Sequence, residues 1–245
     1  MKNKKSLGQH WLYNRGILDE IAELAGEDGL CVEIGPGLGT LTSSLLKRFD
    51  KVLAVEFDED LANNLPKSFP GKNLEVVNED ILKYDFSSIN EPYVVAGNIP
   101  YYITSPIIEK LLTVSNLPQR VVLLIQKEVA ERILDEKESV LSLFVKNRAE
   151  VFSGPVVLKS EFTPPPKVDS QVIILEPKKP EVKDEVFKLI RVGFSAPRKK
   201  VLSNLSSLKS REELVGVFSK LGISLDARPA DLGLETWQRL YEIIM

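Results

Sequence analysis

From about residue 17 onward, short apolar runs alternate with segments whose apolar residues recur at helical spacing. The runs LCVEIG (30–35), KVLAVEFD (51–58), LEVVNED (74–80), YVVAGN (93–98) and VVLLIQ (121–126) read as strands. Between the first two, TLTSSLLKRF puts Leu41, Leu45 and Leu46 on one helical face, and SPIIEKLLT and KEVAERILDE repeat that pattern. Near-continuous apolar strands separated by helices predict a mostly parallel sheet covered on both faces. EVFSGPVVL and SQVIILEP are two further strands with no long helix between them, which predicts an antiparallel pair at one edge. After the Pro- and charge-rich EPKKPEVKDE the character changes, and VFKLIRVGF, REELVGVFSKLG and LETWQRLYEII are helical. The expected division is an α/β domain over residues 1–178 and a small all-helical C-terminal domain over 179–245.

Composition narrows the chemistry. Hydrophobic residues at 43% and charged residues at 27% are ordinary values for a folded chain, so wholesale disorder is excluded. A single cysteine, Cys31, rules out an internal disulfide and any cysteine-rich metal site. A single histidine, His10, makes a Ser-His-Asp triad or a histidine-based metal site a poor reading, so no metal is expected. No apolar run reaches membrane-spanning length and no apolar segment follows the N-terminal lysines, so no membrane association and a cytoplasmic location are expected. The net charge of −3 hides an uneven distribution. Lys2, Lys4 and Lys5 form a basic arm, and Lys188 to Arg211 contains Arg198, Lys199 and Lys200 but no acid. Two basic patches on an acidic chain point to local contact with phosphates.

The turn after the first strand, VEIGPGLGTLT, has Gly35, Gly37 and Gly39 at G-x-G-x-G spacing, not the G-x-G-x-x-G of a dinucleotide site. Alone it is equally a tight turn. Its company changes the weight. Glu56 ends the second strand, where an acid accepts bonds from ribose hydroxyls, and Asp80 ends the third, in reach of an adenine amino group. Glu33 is an acid in the first strand, costly to bury alone, and is expected to face a polar ligand or water. Acids along the carboxyl edge of one sheet favour a nucleoside cofactor. The stretch GNIPYYITSP (97–106) ends another strand with an amide and two aromatic rings, an unusual turn composition.

The ordered motifs SLGQHWL, VEIGPGLGTLT, AVEFD, NEDIL, GNIPYYITSPII, FTPPPKVDSQVI and RPADLGLETWQRL resemble those of the ribosomal RNA adenine N6-dimethyltransferases over nearly the whole chain. The similarity is greatest to the bacterial branch that modifies two adjacent adenosines near the 3′ end of 16S RNA. The resemblance implies a Rossmann-like class I methyltransferase that uses S-adenosylmethionine, acts as a monomer and has 16S RNA in an immature small ribosomal subunit as its partner. Carried over by position, His10 and Leu12 would lie at the methionine end of the cofactor, Gly35 and Gly37 in its glycine loop, Glu56 at the ribose and Asp80 at the adenine. Asn98 would sit between cofactor and substrate, the Ile99 carbonyl and Pro100 would complete the catalytic turn, and Tyr101 and Phe162 would be aromatic walls for the target base. Lys2, Lys4, Lys5, Arg198, Lys199 and Lys200 would contact RNA. Two positions depart from the usual family pattern: His10 stands where the family has Asn, and Tyr102 where bacterial members have Asn. A macrolide-resistance methyltransferase of 23S RNA and a ribosome-assembly factor whose binding is separable from catalysis stay open as alternatives. A nicotinamide oxidoreductase is disfavoured by the glycine spacing.

Overall fold

Every apolar run expected to be a strand forms one in the structure, a computed structural model that describes residues 10–245. Lys2, Lys4 and Lys5 lie outside the described residues. The chain divides into two compact units, one running through Ala130 and including Glu150–Pro177, the other made of Glu131–Ala149 and Lys178–Met245.

The first unit contains β1 (Trp11–Leu12), α1 (Arg15–Ala25), β2 (Leu30–Ile34), α2 (Thr42–Leu45), β3 (Lys51–Glu56), α3 (Glu59–Asn64), β4 (Leu74–Asn78), β5 (Tyr93–Asn98), α4 (Thr104–Leu111) and β6 (Arg120–Gln126). α5 (Lys127–Leu134) and α6 (Val140–Arg148) follow, then β7 (Ala149–Val157), β8 (Phe162–Thr163) and β9 (Ser170–Pro177) return to it. Seven strands form one sheet in the order β4-β3-β2-β5-β6-β9-β7. β4, β3, β2, β5 and β6 are mutually parallel, and β9 runs antiparallel to β6. The two late strands fill one edge, with the later one, β9, on the inside.

Burial follows from the two-residue period of a strand. Cys31, Ala96, Val122 and Leu124 point to one face, where they pack with Leu18, Ile21, Ala22 and Ala25 of α1. Val32, Val95 and Leu123, of opposite parity, are just as buried, so the central strands β2, β5 and β6 are covered on both faces. α1 starts at Asn14, whose side chain accepts the Ile17 amide, and its apolar stripe lies across β5 and β6. Gly97 pairs with Ile34 of β2, and a Cβ there would lie 2.9 Å from the Ile34 carbonyl oxygen. Only glycine allows β5 to lie that close just before Asn98.

Two details of the sequence reading need correcting. The helix expected over TLTSSLLKRF is regular only over Thr42–Leu45, with turns on either side, although Leu41 and Leu45 do reach the core. Asp80 lies two residues beyond the end of β4, in a turn whose Lys83 and Tyr84 amides its own carbonyl accepts.

A second, two-stranded sheet pairs β1 with β8, Trp11 opposite Thr163 and Leu12 opposite Phe162. Nearby, Asn14 Nδ2 donates to Glu161 at 2.8 Å. The start of the described chain is thereby tied to the Pro-rich loop, a long-range pairing the local pattern does not announce.

The second unit adds α7 (Val186–Gly193), α8 (Val201–Leu205), α9 (Arg211–Leu221) and α10 (Leu234–Ile244) to α6. Trp237 of α10 is fully buried against α7, at a place where a side chain on Gly193 would collide with the indole. The boundary expected at residue 178 misses Glu131–Ala149, which belongs with the helices. The reason is specific packing: the Phe144 ring meets Phe187 edge-on, and Arg148 stacks 4.5 Å above Phe144 while pairing with Asp184. Asn147 holds the backbone of Glu181 and Val182. Among the described residues no helix is long and apolar enough to cross a membrane.

Candidate active site

Parallel strands β2, β3 and β5 end along the same edge, and the turns that follow them line one cleft in the first unit. The glycine turn is its floor. Gly35, Gly37 and Gly39 all take positive φ, and the Gly35 amide crosses to the Val55 carbonyl. A side chain at Gly37, φ +57°, would crowd Trp11 Nε1 at 3.3 Å, so the indole of β1 lies directly on the loop.

Glu56 is held by two backbone amides, Asp58 N at 2.8 Å to Oε1 and Gly37 N at 3.0 Å to Oε2. Burial raises its pKa, opposed by those two amides. Glu33, one strand over, lines the cleft, as an acid expected to face a polar ligand or water should. It is buried, and the Thr42 hydroxyl donates to it at 2.6 Å. Burial, reinforced by the Glu56 charge and offset in part by Thr42, pushes its pKa up to about 8. Asp80 borders the same cleft, with Oδ1 accepting the Leu82 amide at 3.0 Å. Phe57, 62% exposed, and Ile81 follow the two acids and put apolar surface beside each. The sequence reading singled out neither, although each is simply the residue after a candidate acid.

Glu33 makes stability depend on pH in a definite direction. Between its ordinary 4.5 and about 8 the folded chain keeps a proton that the unfolded chain releases, so stability falls as pH rises through that window and levels off above it. Glu33→Gln keeps the neutral shape and an acceptor for Thr42. Its melting temperature should gain steadily on wild type across that window, as scanning calorimetry at a series of pH values will show.

At the end of β5, Asn98 Nδ2 donates to the His10 carbonyl at 3.0 Å. A carbonyl only accepts, so the amide orientation is set: Nδ2 faces the arm and Oδ1 is turned away from it. Pro100, φ −61°, leads into a single turn over Tyr101–Ile103. The Tyr101 and His10 rings lie nearly parallel, centroids 6.0 Å apart at 21°, and His10 Nδ1 donates to the Pro164 carbonyl at 2.7 Å. Tyr101 OH lies 2.6 Å from Ser170 Oγ, and burial raises its pKa. Tyr102 stands at the cleft mouth, 64% exposed.

The cleft thus gathers His10, Gly35, Gly37, Glu56, Asp80, Asn98, Ile99, Pro100 and Tyr101. It does not gather the side chains of Leu12 and Phe162. Both are buried in the core with Leu18 and Val157, because β1 and β8 pair with these two residues facing inward. The ring beside Tyr101 is that of His10, not Phe162. In the second unit Arg198, Lys199 and Lys200 are exposed at the start of α8, with Lys200 paired to Asp226. Among the described residues no group of three or more His, Cys, Asp or Glu side chains is arranged to hold a metal ion. Cys31 is buried and its pKa is raised, chiefly by burial, which keeps it a thiol.

A parallel sheet with an antiparallel strand inserted before its last member, opened by a glycine turn and an acid at the end of the next strand, defines a Rossmann-like class I methyltransferase fold. The model of one family, ribosomal RNA adenine dimethylase, matches residues 1–245, and the chain belongs to that family. Similar proteins include the ribosomal RNA small subunit methyltransferase A of Mycoplasmopsis pulmonis, 36% identical over 98% of both chains. That of Nostoc sp. is 38% identical over 100% of this chain and 98% of its own. Among solved structures, a dimethyladenosine transferase from Plasmodium falciparum is similar at TM-score 0.80 and 32% identity, covering 94% of this chain and 96% of that one. The 23S rRNA methyltransferase ErmE is similar at TM-score 0.76 and 28% identity, covering 96% and 99%.

Proposed function

We propose that this chain transfers methyl groups from S-adenosylmethionine to the N6 amino groups of two adjacent adenosines near the 3′ end of 16S RNA, twice on each. In this reading it acts as a cytoplasmic monomer on immature small subunits. The small-subunit relatives support the choice of RNA, and the orientation of Asn98 carries the chemistry.

The cleft suits such a cofactor by the character of its donors and acceptors. With two amides already on it, the Glu56 carboxylate is fixed in place, and each oxygen keeps a lone pair for a ribose hydroxyl. Asp80 accepts from the adenine amino group, and Phe57 and Ile81 supply apolar surface around the base. Gly35 and Gly37 let the backbone lie against the rest of the molecule. When bound, S-adenosylmethionine supplies an electrophilic methyl group on its sulfonium.

An adenine amino nitrogen is a poor nucleophile because its lone pair is delocalised into the ring. In the first transfer Asn98 Oδ1 and the Ile99 carbonyl each accept one amino hydrogen, and in the second the one hydrogen left on the methylated nitrogen goes to one of them, which holds the nitrogen in a geometry where the lone pair points at the methyl group. Tyr101 stacks on the target base, a contact worth roughly 1–3 kcal/mol. Once methylated the nitrogen is cationic and its proton is acidic enough to pass to water, so no ionised base is asked of the chain. Catalysis then rests on alignment and fixed dipoles. Phe162 has a supporting role in place of the one expected: its burial anchors the loop whose Pro164 carbonyl holds His10. Arg198 and Lys199, with Lys200 and the N-terminal lysines, contact phosphates and position the RNA without reading it.

Incubation with labelled S-adenosylmethionine and immature small subunits, followed by mapping of the modified nucleotides, tests this reading. Label on two adjacent 16S adenosines is the expected result. Label on 23S RNA alone would transfer the chain to the macrolide-resistance type, and stable particle binding without any methylation would leave it an assembly factor.

A further inference from the structure

We propose that Ser170 is a positioning residue that sets the plane of the Tyr101 ring, and through it the stacking of the target adenine. The proposal rests on the reading of Tyr101 as the stacking platform. Tyr101 opens a single irregular turn just beyond β5, so no ladder of sheet contacts sets its side-chain direction. Its backbone is held by the Thr104 hydroxyl, which donates to the Tyr101 carbonyl at 3.1 Å. Its ring must be held by what surrounds it.

Two groups do so from different sides. His10 lies nearly parallel to the ring and is itself anchored through Nδ1 to Pro164. At the far end of the ring, the hydroxyl meets Ser170 Oγ at 2.6 Å. Ser170 is 0% exposed and opens β9, opposite Gln126 of β6, so it is part of the sheet scaffold. The residue before it is tied down as well: the Asp169 carbonyl accepts the Lys127 amide at 3.0 Å, and its side chain accepts the Lys159 amide at 2.9 Å. A ring pinned at its hydroxyl by a rigid strand cannot swing about its first side-chain torsion. Because Ser170 is buried, losing either hydroxyl leaves the other without a ready replacement. His10, Tyr101 and Ser170, each from a different motif, thus meet at one ring.

A double-mutant cycle tests this on the full chain with immature small subunits as substrate. Ser170→Ala and Tyr101→Phe should each lower kcat/KM for the particle by about tenfold, the scale of one buried hydrogen bond with an orphaned partner. Cofactor affinity should not change. The double variant should be no worse than either single one, since both remove the same contact. Additive losses, or wild-type kcat/KM in Ser170→Ala, would overturn the proposal. Should Ser170→Ala melt early, Tyr101→Phe decides alone: it deletes only the hydroxyl, and an unchanged kcat/KM sinks the idea. Tyr101→Ala separates this from the reading beneath it. Full activity in that variant would remove the stacking platform itself, whereas a crippled Tyr101→Ala beside an unaffected Ser170→Ala would remove only the positioning role.

Discussion

Asn98→Ala loses methyl transfer, with kcat down by about 10²–10³-fold, while S-adenosylmethionine still binds. The substitution removes one of two neutral acceptors that hold the amino group of the target. Nothing nearby replaces it, because the Asn98 amide is already oriented by the His10 carbonyl, and its oxygen is the only part of that side chain facing away from the arm. Cofactor affinity survives because Glu56 and the glycine turn are held by their own backbone bonds, not by Asn98. Asn98→Asp sharpens the comparison. It keeps an oxygen where one is needed but sets a carboxylate oxygen against the His10 carbonyl, so the arm contact is lost and only partial activity returns. The measurements are single-turnover transfer from labelled cofactor and calorimetric binding of the same cofactor. Near-normal turnover in Asn98→Ala, with the cofactor bound, would refute the proposed chemistry.

The cofactor side of this cleft was far easier to read from sequence than the base side. Glu56 follows Gly37 by 19 residues, within one strand-turn-helix-strand unit, and its carboxylate meets the glycine turn at the end of the neighbouring parallel strand. Local pattern carries such information. The base side is built by pairing β1 with β8, two residues each, from opposite ends of the first unit. A two-residue strand is too short for alternation to show which side chain points inward. Leu12 and Phe162 could therefore be placed beside the cleft by motif but not by direction, and the structure turns both into the core. His10, a departure from the family pattern, supplies the neighbouring ring, and Ser170 is a strand residue whose hydroxyl has meaning only because Tyr101 reaches it. The missed helix α6 has a similar cause. Ser142, Asn147 and Arg148 are buried along with its apolar residues, so no apolar stripe separates from a polar one in its sequence. Its partners in α7 and at Asp184 lie some forty residues away, beyond the reach of local periodicity.

Glu56→Gln weakens S-adenosylmethionine binding by about a hundredfold, the scale of losing charge-assisted bonds to two ribose hydroxyls. The change is nearly isosteric, so the loss comes from hydrogen-bond polarity and charge. Both carboxylate oxygens now accept backbone amides, Asp58 N on one and Gly37 N on the other. Gln has only one oxygen, so its NH₂ must face one of those two N–H groups, donor against donor. If the oxygen stays with Asp58, the Gly37 amide is orphaned and the glycine turn keeps only its Gly35–Val55 bond to β3. If it turns to Gly37, the start of α3 loses its own. In either case the ribose meets a donor where it needs an acceptor. The pH dependence separates this from general damage to the fold. Burial raises the Glu56 pKa above its ordinary value of 4.5, so acidification should remove the acceptor, and wild-type cofactor affinity should fall at a higher pH than for an exposed carboxylate. Glu56→Gln has no proton to gain, and its weak binding should stay flat over the same range. Calorimetric titrations of both proteins across that range would show the two curves converging toward acid, and parallel curves would remove Glu56 from the cofactor site.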